Sequence, residues 1–109
     1  MNWTVEYLNL KAEAEVDALP RDMRARFYRL VKLIEENGLE ALREPYAKHL
    51  EGPLWELRMK GRDGISRAIY VTASVRRVVV VRAFVKKTQQ TPRHEIDLAI
   101  ERVKKAGIK

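Results

Sequence analysis

Arg58 and Arg67 each stand inside an apolar stretch, Leu54-Trp55-Glu56-Leu57-Arg58-Met59 and Ile65-Ser66-Arg67-Ala68-Ile69-Tyr70. A lysine pair, Lys86-Lys87, closes the run Val78-Val79-Val80-Val81-Arg82-Ala83-Phe84-Val85. Guanidinium groups hold phosphate through paired hydrogen bonds, and lysine acts as a mobile point charge. An arginine in mid-strand needs solvent, a carboxylate or an anion for its head. These types and spacings point to a site for a polyanion, with Thr88, Gln89 and Gln90 adding a hydroxyl and amides beside the lysines. Two plainer readings stand beside this one. Arg58 and Lys60 also suit an exposed, charge-protected sheet face, and Arg67 a structural salt bridge to Glu56.

Other chemistries find less support. His49 and His94 have no partner at metal-ligand spacing, and the chain has no cysteine, so thiolate metal sites and disulfides are excluded. Ser66 and Ser74 lie in no hydrolase motif, and there is no glycine-rich phosphate loop. The net charge of +7 is concentrated. Residues 56–87 hold nine Lys or Arg against Glu56 and Asp63, and the rest of the chain sums to zero. Such an excess suits a nucleic-acid or acidic partner.

These residues must be positioned by the elements around them. With 109 residues, 46% of them hydrophobic, the chain reads as a single globular domain over 1–109. It shows neither a signal-peptide pattern nor a membrane-spanning run, so a cytoplasmic location is expected. Trp3 to Leu8 alternates as a strand, and Lys11 to Leu19 is Ala- and Glu-rich as a short helix. Pro20 opens a second helix from Arg21 to Asn37, striped by Met23, Phe27, Leu30, Val31 and Ile34 and ended by Gly38. Residues 39–52 read as a loop with a helical turn. From Leu54 the period becomes two, with Trp55, Leu57 and Met59 on one side and Glu56, Arg58 and Lys60 on the other. The turn 61–64 leads to a strand over Ile65 to Thr72, and a turn at 73–76 leads to one over Arg77 to Lys86. Thr91 or the residue before it is the expected cap of a last helix that begins at Pro92, with Ile96, Ala99, Ile100 and Val103 as its stripe. The order β-α-α-β-β-β-α predicts an α+β two-layer domain. Its antiparallel sheet is mostly a meander, with an N-terminal helical hairpin and a C-terminal helix. The first strand joins the sheet edge, the helices cover one face and the other face meets water.

The ordered set "LEGPLWELRMKGRDGISRAIYV", "VVVVRAFVKKTQQTPRHEIDLAIERV" and "DALPRDMRARFYRLVKLIEENG" resembles the phage-derived HigB branch of the RelE-like toxins over nearly the whole chain. The resemblance implies a RelE-like fold and the toxin half of a type II toxin–antitoxin pair. It also implies a ribosome-dependent mRNA endonuclease that works without cofactor or metal. The partners implied are mRNA in the ribosomal A site and a cognate antitoxin with a helix-turn-helix domain; no membrane is implied. Carried onto this sequence, Arg58, Arg67, Lys86 and Lys87 take the catalytic positions. Lys60, Arg82, Thr88, Gln89 and His94 are expected RNA contacts, and Glu56 and His94 are lesser candidates for proton transfer. Glu56 replaces a lysine of the better-known RelE pattern, and Pro92-Arg93-His94 stands where an aromatic residue would stack on the base. The alternatives are a ParE-like inhibitor of DNA gyrase, a non-toxic nucleic-acid-binding phage module and a toxin that has lost activity.

Overall fold

The computed structural model describes residues 2–86 and 90–108. The chain runs β1 (Thr4–Tyr7), α1 (Leu10–Asp17), α2 (Arg21–Asn37), a 3-10 turn (Leu39–Ala41), β2 (Ala47–Glu51), β3 (Leu54–Gly61), β4 (Gly64–Ala73), β5 (Arg77–Lys86) and α3 (Arg93–Ala106). The sheet order is β1-β5-β4-β3-β2. β2 to β5 form the antiparallel meander, and β1 lies at the edge, parallel to β5. This is the expected α+β class, with the first strand at the sheet edge.

Local chemistry sets the helices. Asn9 caps α1 by accepting from the Ala12 N–H at 2.9 Å. α2 buries Met23, Phe27, Leu30 and Ile34, one face of a 3.6-residue period. At Gly38 the chain turns with a positive φ of 88°, and its N–H donates to the Ile34 carbonyl. The α2 stripe packs on Leu57, Met59, Ala68, Tyr70, Val78 and Val80, the principal core.

Three elements differ from the sequence reading. α3 packs on the other face of the sheet, where Ala99 with Ile96, Ile100 and Val103 covers Leu54, Ile69, Val71, Val79, Val81 and Phe84. The face expected to meet water is therefore partly closed. The four valines at 78–81 are all buried, and unbroken apolarity is what a strand covered on both faces requires. A bulge in β5 adds to this: Ile69 pairs with Arg82 and Tyr70 with Val80, which leaves Val81 as the extra residue beside Val79 against α3. Third, residues 47–51 form the edge strand β2 rather than loop. Its sequence AKHLE has no β-branched residue, so pairing with β3 sets it, not propensity.

β1 reaches only to Val80, and side chains take over the β5 edge beyond it. The Ala83 N–H donates to the Glu15 carboxylate at 3.3 Å, and Arg102 donates to the Val81 carbonyl at 2.8 Å. Glu15 is also gripped by Arg102 at 2.7 Å and Arg82 at 2.9 Å. Partial burial would raise the Glu15 pKa, but its Arg102 and Arg82 partners outweigh this and hold it below the ordinary 4.5. A depressed folded-state pKa stabilises the fold above the unfolded value, and that contribution is lost as pH falls through the folded one. The melting temperature of the wild type should thus drop more steeply below pH 4.5 than that of Glu15→Gln, as a thermal melt series against pH would show. Parallel curves would remove Glu15 as the titrating group. Among the described residues no helix is long and apolar enough to cross a membrane.

Candidate active site

Alternation places Glu56, Arg58 and Lys60 on the α3 side of β3, the side of Leu54. The strand register then draws the expected residues together. Arg58 is directly opposite Arg67, and Arg67 is opposite Phe84. Two residues further along, about 7 Å by strand geometry, Lys60 is opposite Ile65 and Ile65 opposite Lys86.

Directly opposed like charges destabilise a sheet unless something lies between them. Here it is Glu56, which is fully buried. Its Oε2 accepts from Arg58 Nε at 2.7 Å and lies 4.0 Å from Arg67 Nε. Its Oε1 accepts the hydroxyl of Thr91, and that hydroxyl in turn accepts from Arg67 Nη1 at 2.9 Å. A chain of hydrogen bonds results, in which Arg67 donates to Thr91, and Thr91 and Arg58 both donate to Glu56. It joins β3 and β4 to the segment that enters α3. Thr91 therefore does not cap α3: the helix starts behind Pro92 with no side-chain cap.

The two arginines have different surroundings. Arg58 keeps a side-chain exposure of 19%, whereas Arg67 has 1%. Burial pushes the Arg67 guanidinium below its usual range; Glu56 opposes this and the Arg58 charge adds to it. Beside Arg58 and Thr91 lies a shallow depression of about 210 Å³, also lined by Lys48, His49, Glu56 and Gln90. Lys48 is a residue that the sequence reading missed. It is opposite Glu56 in the β2–β3 register, an opposite-charge pair that becomes visible only once β2 is recognised as a strand.

The remaining candidates lie elsewhere. Arg82, expected as an RNA contact, has its donors on Glu95 at 2.8 Å and Glu15 at 2.9 Å, with its head over the Phe84 ring. It ties α1 and α3 to β5. His94 is exposed in the first turn of α3, 3.6 Å from the Glu95 carboxylate. Lys60, unlike these, stays on the Arg58 face, where it is exposed. Lys87, Thr88 and Gln89 lie outside the described residues.

Residues 14–104 match the family described as "Phage derived protein Gp49-like (DUF891)". The chain belongs to this family. In fold, the Gp49-like chain is similar to an arginine double mutant of the Escherichia coli toxin RelE in the free state, at 18% identity and a TM-score of 0.58, covering 94% of this chain and 99% of that one. It is also similar to RelE in the archaeal RelE–RelB complex from Pyrococcus horikoshii, at 20% identity and a TM-score of 0.58, covering 83% of this chain and 100% of that one. No curated protein gave a sequence match. The Gp49-like chain therefore has the RelE fold, with a buried Glu56 at the centre of its basic face.

Proposed function

We propose that this Gp49-like chain is the toxin of a type II toxin–antitoxin pair and cleaves mRNA in the ribosomal A site. The observation that carries the reading is the register that sets Arg58 against Arg67, with Lys60 and Lys86 in the next row of the same face. The 2′-oxygen of the nucleotide 5′ to the cut attacks the phosphorus, and the bond to the 5′-oxygen breaks. The products are a 2′,3′-cyclic phosphate and a 5′-hydroxyl. The proton leaves the 2′-hydroxyl and another is delivered to the departing oxygen.

Cations must meet the charge that grows on the equatorial oxygens. Arg58, partly exposed at the depression, takes that role. Glu56 and Arg67 are buried, which supports a positioning role for both: Glu56 holds the Arg58 head, and Arg67 with Thr91 holds Glu56. Lys60 and Lys86 steer the RNA, and Lys86 or Lys87 gives or takes the proton. The toxin acts in the cytoplasm and is held silent by its antitoxin, a helix-turn-helix protein; the RelB partner of the Pyrococcus horikoshii RelE supports an antitoxin of some kind.

Induction in a bacterial host, with primer extension on a reporter mRNA, tests this. New cuts inside translated codons are expected with growth arrest, and purified protein should cut ribosome-bound mRNA to leave 5′-hydroxyl ends. Arrest without cuts would replace the nuclease with a binding inhibitor of the gyrase-directed kind.

A further inference from the structure

A second concavity, about 570 Å³, runs along the flank of α2 and round the edge of β3. One wall is an α2 stripe of Arg26, Arg29, Leu30 and Leu33, at i, i+3, i+4 and i+7. Pro45 and Tyr46 close one end, and Arg58 and Lys60 bring it onto the candidate active face. Leu33 and Tyr46 stay exposed, at 36% and 52%. No acidic residue lines it. Four cations round an apolar floor form a surface that repels a basic or purely polar partner and is costly to leave wet.

We propose that this groove receives an extended segment of the antitoxin in which acidic and apolar residues alternate, and that the segment silences the toxin through Arg58. The proposal rests on the toxin reading above. The extended form follows from the sheet edge. β2 starts at Ala47, opposite Leu57, and the Arg58 N–H donates to the Tyr46 carbonyl at 2.9 Å; beyond Arg58 no strand lies beside β3 on this edge among the described residues. A strand laid there presents alternate side chains to opposite faces. One set meets Leu30 and Leu33 on the α2 side, and the other meets Arg58 and Lys60 on the far side. RNA fits the same lining less well, because its bases stack on aromatic faces and the floor is largely aliphatic.

Arg58 belongs to both sites. A carboxylate of the bound segment competes with Glu56 for its guanidinium, so occupancy draws the cation away from the substrate phosphate. Inhibition then needs no occupant in the depression itself.

The experiment is a fluorescence-anisotropy titration of the intact protein with three labelled probes of similar length. They are a peptide of alternating glutamate and leucine, an oligoglutamate and an oligouridylate. The variants are Arg29→Glu and Leu33→Asp, with Lys104→Glu on α3 as the charge control and a thermal melt of each to show folding. The alternating peptide is expected to bind at least tenfold more tightly than oligoglutamate. It should lose at least tenfold in both groove variants and little in the control. Equal binding of the two peptides overturns the proposal, as does an unchanged affinity in folded Leu33→Asp. Loss of oligouridylate binding in both groove variants, with the peptide unaffected, would make the groove an RNA path. Binding is read without any cleavage step, so a protein that binds the peptide but never cuts mRNA would overturn the nuclease reading and leave the groove in place.

Discussion

Arg67→Ala is expected to be the most destabilising substitution in the candidate site, at about 3 to 5 kcal/mol, the usual result of breaking a buried charge pair by removing one partner. Arg67 and Glu56 are both fully buried. Alanine would remove the Arg67 donor to Thr91 and leave the buried Glu56 carboxylate with only Arg58 and the Thr91 hydroxyl as partners. For a domain near 100 residues each kcal/mol moves the melting temperature by about 4 to 8 °C, so a fall of well over 10 °C follows. Arg67→Lys restores the charge but not the planar fork, and should recover only part of the loss. Circular-dichroism melts of the three proteins decide it. A shift of about 2 °C or less for Arg67→Ala would mean that the Arg67–Thr91–Glu56 chain does not hold the fold.

Arg58→Ala should do the opposite, leaving the fold and removing the chemistry. A single preorganised donor at a developing anion is worth about 10²–10³ in rate. Glu56 keeps the Thr91 hydroxyl and the Arg67 charge when Arg58 is cut back, so its burial remains compensated. The expected cost in stability is about 1 kcal/mol, the order of one exchanged hydrogen bond. Single-turnover cleavage of ribosome-bound mRNA, measured beside the melt, gives both quantities. If Arg58→Ala melts as early as Arg67→Ala, the two arginines are one structural unit and the rate loss says nothing about transition-state charge. If the rate is unchanged, the phosphate is held elsewhere.

The contrast between these arginines explains what the sequence could and could not reveal. Period two over Leu54 to Lys60 was enough to put Glu56, Arg58 and Lys60 on one face, and the 61–64 turn was enough to pair that strand with the next. The α2 stripe and its Gly38 stop were equally local signals. Burial of Arg67 was not local. It depends on Thr91, twenty-four positions away along the chain, and on α3 closing a face that alternation alone left open. The clue to that closure was the unbroken valine run. β2 escaped because AKHLE carries no strand propensity of its own, and Lys48 escaped with it. Thr91 was visible as a small polar residue before a helix, for which capping is the commonest use; its bond to a buried carboxylate required the third dimension.

The parallel pairing of β1 with β5 joins Thr4 to Arg77, so β1 has to wait for β5 to be synthesised. During translation β1 and the helical hairpin emerge with no sheet to pack on, while β3, β4 and β5 each find a neighbour within a short turn. The meander is therefore the natural nucleus, and β1 adds by closing a long loop whose entropy the finished core must offset. Thr91 leaves the ribosome later still, so the locking of Glu56 waits until the whole meander has emerged. A nascent copy thus lacks its assembled basic face until the segment entering α3 has left the ribosome, well after the strands that carry Arg58 and Arg67.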